Sequence, residues 1–319
     1  MPTISVLTLV VGLGYLHGAP VNPGSFLAFS VAMTQVTVGV IAVGGGLSMV
    51  VLCIPYLELL EPVLSEAPEV DEARAAPGEL RGSIELSHIR LRYSPDGPVV
   101  LDDLSLSVRP GQFVALVGPS GAGKSSLLRL LLGFESPESG TVSYDGKDLA
   151  SLDTAAVRRQ VGTVLQSAQV VPGTVYSNIA GSTAMSREAA WAAAGAAGLA
   201  DDIKAMPMGM DTVVSEGAST LSGGQRQRLL IARALGHNPR ILLFDEATSA
   251  LDNVTQATVA QSVADLQITR VVIAHRLSTI QDADVIHVLS AGRVVQSGTY
   301  ASLSSVEGPF AELAARQLM

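Results

Sequence analysis

Apolar positions divide this chain into two stretches of different texture. From Met1 to Leu57 there is no Asp, Glu, Lys or Arg, and the residues are mostly apolar. An aqueous chain of that length needs charges on its solvent face, so the run is a membrane signal. HGAPVNPG, His17 to Gly24, interrupts it, because Pro20, Asn22, Pro23 and Gly24 are turn residues. Ile4–Leu16 gives thirteen residues, short of the roughly 20 that a span needs. Ser25–Ile54 gives thirty, about 45 Å as a helix against a hydrocarbon core of roughly 30 Å. The last turns of such a helix are expected to project beyond a bilayer. Gly44–Gly46 inside it fits close helix packing or a kink, with a gating hinge as the sharper alternative. A signal peptide is disfavoured because no basic residue precedes the apolar core.

Glu58 to Pro77 is acidic and rich in Pro and Ala. It marks residues 58–80 as a linker. From Arg81 onward the pattern is that of an α/β domain. SIELSHIRLRY (83–93) alternates like a half-buried strand. FVALV (113–117) and RILLFDE (240–246) are short apolar runs suited to strands buried on both faces of a parallel sheet. Residues 153–235 are expected to be mostly helical. Within them the alanine-rich run 186–203 is a helix with Ser186 as its cap and Glu188 near its positive end. Trp191 is assigned to the core. Residues 284–290 and 292–298 form a hairpin turning at Ala291-Gly292, and a last helix covers 306–317.

Composition sharpens the division. Of 319 residues 48% are apolar, 15% charged and 4% aromatic, which excludes a disordered chain. All 20 bases lie in 74–319, where the charge is −3. A net charge of −9 offers no basic footprint, so no nucleic-acid partner is expected. One cysteine excludes a disulfide framework. Cys53, His17, His88, His237 and His287 are assigned packing or structural roles. Asn253-Val254-Thr255 matches a glycosylation sequon, on a part of the chain expected to be cytosolic.

The strand at 113–117 runs directly into GPSGAGKSS (118–126) and a leucine-rich helix. Strand, glycine loop and helix in this order form a phosphate-binding P-loop. Gly118, Gly121 and Gly123 let the backbone, with Pro119, Ser120 and Ala122, wrap so that N–H groups converge on phosphate oxygens. Lys124 is placed to bridge β- and γ-phosphates, Ser125 to ligate Mg²⁺, and Ser126 closes the motif. At the end of the second apolar strand, Asp245 is placed to hold Mg²⁺ and Glu246 to polarise the attacking water.

LSGGQRQR (221–228) resembles the signature sequence of ATP-binding cassette (ABC) ATPases. Other stretches resemble further marks of that family, in order. Tyr93 resembles the aromatic that stacks on adenine, and Gln166 in VLQS the Q-loop glutamine, a further Mg²⁺ ligand. Ser249, Ala250, Leu251 and Asp252 resemble the D-loop, and His275, 29 residues after Glu246, the switch histidine. Glu216 fits the X-loop acid only in part, because Gly217-Ala218-Ser219 replaces its usual arginine-containing stretch.

The resemblance implies a nucleotide-binding domain over 81–319 that hydrolyses Mg-ATP, with Glu246, His275 and Gln166 in catalytic roles. It also implies a head-to-tail dimer. There Leu221, Ser222, Gly223, Gly224 and Gln225 of one subunit close over ATP held by the other's P-loop. Residues 1–57 resemble the end of an exporter's transmembrane domain, so a plasma-membrane location with residues 81–319 in the cytoplasm is implied. His17–Gly24 would then face outside if both apolar stretches span. Exporters of this type carry six spans. The chain is therefore expected to be a truncated copy without transport activity, or to take further spans from another chain. LRLLLGFESPESG and ATSALDNVTQATV are similar in phrasing to exporters of bacteriocins or leader-peptide products. A lipid or drug exporter, and a soluble ABC ATPase of repair or translation, are the rival readings.

Overall fold

The computed structural model describes residues 6, 9–11, 13–14, 17–18, 22–65, 74–215, 221–247, 251–274 and 276–317. It divides into two compact units, Met1–Glu69 and Val70–Met319.

The first unit is dominated by α1, Pro23–Ser65. It continues eight residues into the stretch expected to be linker. Glu58, Leu59, Leu60 and Glu61 favour helix, and Pro55 and Pro62 lie inside it, each removing a single i→i−4 bond. At 43 residues the helix is about 65 Å long. Four of its hydroxyls are satisfied within the helix: those of Ser30, Thr34, Thr37 and Ser48 donate to the carbonyls of Phe26, Ser30, Met33 and Gly44 at 2.8–2.9 Å. Meanwhile Leu27, Val40, Met49 and Leu64 stay more than half exposed. Phe26–Ser65 is the one helix among the described residues long and apolar enough to cross a membrane. Nothing lies within 4 Å of a Cβ built on Gly44, Gly45 or Gly46.

The second unit is α/β. Its strands are β1 (Ile84–Leu91), β2 (Leu101–Val108), β3 (Phe113–Val117), β4 (Ser139–Tyr144), β5 (Lys147–Asp148), β6 (Val161–Val164), β7 (Gly173–Thr174), β8 (Val213–Val214), β9 (Ile241–Asp245), β10 (Thr269–Ile273), β11 (Val285–Ser290) and β12 (Arg293–Gly298). Its helices are α2 (Lys124–Leu131), α3 (Thr154–Arg158), α4 (Val175–Ala180), α5 (Arg187–Ala196), α6 (Ala200–Ala205), α7 (Gly223–Leu235), α8 (Asn253–Asp265), α9 (Tyr300–Ser304) and α10 (Pro309–Gln317). The central sheet runs β12-β11-β3-β10-β9-β6, all parallel except β12. An antiparallel sheet, β2-β1-β4-β5, forms a separate ladder, as does the pair β7-β8.

The continuous apolar runs of β3 and β9 are explained by burial along their whole length. Alternate residues feed opposite cores. Phe113, Ala115 and Val117 of β3, with Leu242 and Phe244 of β9, join a cluster containing Ile179, Ala190, Leu229 and Val263 of α4, α5, α7 and α8. Val114, Leu116, Ile241 and Leu243 join the other cluster, with α2 and the antiparallel strands. The sheet is thus the wall between the helical subdomain and the antiparallel layer.

Two element boundaries differ from expectation. The alanine run forms two helices, because Gly198 at φ +66° ends α5 and the Leu199 amide reaches back to the Ala194 carbonyl at 2.8 Å. Ser186 does cap α5, accepting from the Ala189 amide at 3.1 Å. The terminal helix starts at Pro309, a favoured first position, and α9 precedes it. The hairpin turns at Ala291 and Gly292, both at positive φ.

Candidate functional site

The P-loop joins β3 to α2. Two of its glycines are required by space as well as by conformation. A Cβ on Gly118 (φ +151°) would meet the Leu289 carbonyl oxygen at 2.1 Å. One on Gly123 (φ +98°) would meet Leu101 at 2.6 Å. Leu127, Leu128, Leu130 and Leu131 bury one face of α2 and fix its N-terminus at the loop.

Lys124 is only 7% exposed, and its Nζ donates to the carbonyls of Gly118 and Pro119 at 2.8 and 2.9 Å. Burial pushes its pKa down, and the carboxylates of Asp245 and Glu246 oppose that shift. Ser125 Oγ donates to Asp245 Oδ2 at 2.8 Å, tying the loop to the end of β9. The Tyr93 hydroxyl donates to Ser126 Oγ at 2.9 Å, so the exposed Tyr93 ring stands beside the loop.

A cavity of about 310 Å³ is lined by Ser120, Gly121, Gly123, Lys124, Ser125, Ser126, Gln166, Asp245 and Glu246 among others. It therefore gathers side chains from the loop, from the segment after β6 and from the end of β9. The Ser125 hydroxyl, the Asp245 carboxylate and the Gln166 side-chain carbonyl are hard oxygen donors, the set that suits Mg²⁺. Among the described residues no cluster of three or more His, Cys, Asp or Glu forms a separate metal site. A larger cavity, about 500 Å³, opens on the other side of Glu246 between α8 and β10. Its lining mixes apolar Phe244, Val259, Val263 and Val272 with polar Gln256, Arg270, Ser278 and Asp282, and includes no residue of the glycine loop.

Glu246 has φ +54°, unusual for a residue with a side chain. Its amide donates to the Ile273 carbonyl at 3.0 Å, and its carbonyl accepts from Gln227 Nε2 at 3.1 Å.

The signature residues lie at the start of α7. Ser222 caps the helix, accepting from the Gln225 amide at 3.1 Å, while Gln225 Oε1 accepts from the Ser222 amide at 3.0 Å. This reciprocal capping box leaves Ser222 and Gly223 exposed and Gly224 half-exposed, with Leu221 buried beneath. Gln225 Nε2 donates to Asp202 Oδ1 at 2.8 Å, and Arg228 donates to Asp202 Oδ2 at 2.7 Å and to the Gly198 carbonyl at 2.6 Å. Gln225, expected among the groups facing a partner's nucleotide, is thus engaged within its own chain.

Leu251 is buried, and Asp252 caps α8 by accepting from the Thr255 amide at 2.9 Å. Hydrogen bonds from Thr255 hold the Asp252 carboxyl below the usual range. Ser249, Ala250, His275 and Glu216 lie outside the described residues.

Of the histidines, His88 is exposed and pairs with Asp103 at 2.7 Å, a carboxylate neighbour that sequence spacing did not reveal. His237 contacts Thr183 at 3.2 Å, and the buried His287 contacts Ser297 at 2.7 Å. Trp191 packs half-buried against the core. Residues that sequence reasoning passed over are Gln227 and Arg228, both inside the signature string, and Asp202. Asp202 carried no signal, because its partners lie 23 and 26 positions away.

Residues 101–249 match the family described as ABC transporter. The chain is 39% identical over 312 residues to the toxin RTX-III translocation ATP-binding protein of Actinobacillus pleuropneumoniae, covering 94% of this chain and 43% of that protein. It is 38% identical over 314 residues to the alpha-hemolysin translocation ATP-binding protein of Escherichia coli, covering 95% and 43%. Among solved structures, a bacterial Atm1-family ABC exporter with ATP bound matches at TM-score 0.81 and 36% identity, over 93% of this chain and 52% of that one. The chain thus spans about half the length of the proteins it matches.

Proposed function

This chain belongs to the ABC transporter family, and on that premise we propose that it is the ATP-binding and ATP-hydrolysing part of an exporter subunit. The observation that carries the proposal is the 2.8 Å contact between Ser125 and Asp245. It brings a phosphate-binding loop and a strand-end carboxylate pair into one cavity. The amides of the glycine loop and the N-terminus of α2 would receive the β- and γ-phosphates. Lys124 would exchange its two loop carbonyls for phosphate oxygens. Ser125, Asp245 and Gln166 would hold Mg²⁺, which when bound neutralises charge on the transferred phosphoryl group. Glu246 would accept a proton from the attacking water and orient it for in-line displacement.

The exposed N-terminus of α7 supports a second nucleotide-binding domain as partner. Ser222 and Gly223 would offer a hydroxyl and helix-terminal amides to the γ-phosphate held by that partner. The apolar surface of α1 supports a bacterial inner-membrane location, with the ATPase domain in the cytoplasm, and weighs against the soluble rival. Similarity to translocators of RTX toxin and hemolysin favours a polypeptide cargo. It gives no particular support to the bacteriocin expected from sequence phrasing.

The test is Mg²⁺-dependent ATP hydrolysis by the full chain reconstituted in lipid. Turnover that Asp245→Asn abolishes supports the proposal. Wild-type turnover no higher than that of Asp245→Asn would overturn it. Extraction of the chain by alkaline carbonate would separately remove the membrane assignment.

A further inference from the structure

We propose that Gln227 is a positioning residue for hydrolysis: its side-chain amide holds the main chain of Glu246 in the left-handed conformation from which the carboxylate acts. This rests on the reading of the chain as an ATPase and adds to it a link between the signature helix and the same chain's own base.

Asp245 is the last residue of β9, and it pairs with Ile273 of β10 in parallel register. One residue later the chain leaves the sheet at φ +54°. Only glycine occupies that region freely, and an L-residue persists there when its surroundings hold it. At Glu246 two main-chain contacts do so: its N–H goes to the Ile273 carbonyl at 3.0 Å, and its carbonyl takes Gln227 Nε2 at 3.1 Å. The first anchors the residue to the sheet and the second to α7.

Gln227 stands one helical turn after Gly223, so the two share a face. Both line a cavity of about 210 Å³ with Gln166, Asp245 and Glu246. Glu246 lines this cavity and the P-loop cavity alike. The face of α7 that carries exposed signature backbone at its first turn therefore grips the candidate base at its second. A side-chain amide suits this task. It donates to a carbonyl without adding charge beside Glu246, and it is long enough to reach from the helix to the strand end.

The experiment uses the full chain in lipid with two variants. Gln227→Met keeps the length and removes the donor. Gln227→Glu keeps the shape and sets an acceptor against the carbonyl. Three quantities are read: kcat, KM for ATP, and Kd for a fluorescent ATP analogue. Amide hydrogen exchange at 246–247 in the nucleotide-free protein is a fourth. The expected result is a kcat lowered about tenfold or more, since a misplacement of about 1 Å costs about 10²-fold. KM and Kd stay at wild-type values, exchange at 246–247 quickens, and Gln227→Glu is at least as impaired as Gln227→Met. A kcat within about twofold of wild type in either variant, a raised KM or Kd, or unchanged exchange would overturn the proposal. If the wild type hydrolyses ATP and these variants match it, this inference alone fails. If the wild type does no better than Asp245→Asn, the ATPase reading fails and takes the inference with it.

Discussion

The phosphate loop and the signature loop are both glycine-rich starts of helices, yet the fold treats them in opposite ways. The phosphate loop bonds inward through Lys124 and Ser125, although Pro119, Ser120 and Gly121 at its tip are exposed. Lys124 is buried and bonded to carbonyls of its own loop, and Ser125 is bonded across to Asp245. The signature loop turns outward. Ser222 and Gly223 are exposed, and the interactions that hold them, the capping box and the Asp202 network, lie behind them. One loop is bonded within its own chain, whereas the other leaves Ser222 and Gly223 open to solvent, which is why we propose that it serves a nucleotide held by a partner.

The contrast can be broken at several points. The largest expected effect is on chemistry at the inward site. Glu246→Gln should lower kcat by about 10²–10⁴-fold, the usual contribution of a general base, with ATP binding retained. Steady-state hydrolysis and nucleotide binding together check this. Lys124→Ala removes charge-assisted hydrogen bonds worth about 1.5–3 kcal/mol and should weaken ATP binding about 10- to 100-fold, measured by equilibrium titration. Behind the outward loop, Asp202→Ala strands Arg228, whose side chain is 15% exposed. Because Asp202 is itself partly exposed, the expected loss is about 1–2 kcal/mol, read from the urea midpoint.

The smallest effect is on pH dependence. Burial lowers the pKa of His287, and burial with the nearby Arg233 lowers that of His237. Both are therefore protonated more readily in the unfolded chain. Their contribution to stability is intact above the ordinary histidine value of about 6.5 and is lost as pH falls towards the folded values. His287→Gln should flatten the fall in urea midpoint between about pH 7 and 5. An equal slope in the variant would remove His287 from the account.

The inward site was legible in the sequence because its determinants are local. A buried strand, three glycines and a lysine lie within a dozen residues, and each is demanded by backbone geometry that the structure displays at Gly118 and Gly123. The parallel sheet was legible from the unbroken apolar runs of β3 and β9. The support of the outward loop was not, because Asp202, Gly198 and Arg228 meet only in the fold. The left-handed backbone at Glu246 and its contact with Gln227 gave no sequence sign either, since neither position carries a glycine. In α1 the apolar run was plain, but its end was not. Acidic residues and prolines after Leu57 suggested a linker, whereas the leucines and glutamates between them sustain helix to Ser65.

In the proposed dimer the inward loop of one chain works with the outward loop of another. Ser222→Arg blocks the outward loop with a bulky cation and leaves the same chain's P-loop untouched, while Lys124→Ala does the converse. Each alone should be inactive in ATP hydrolysis. Mixed in equal amounts, half the dimers should carry one intact composite site of two, restoring up to about a quarter of the wild-type rate. A mixture that remains as inactive as either variant, with heterodimers demonstrated by crosslinking, would contradict the account.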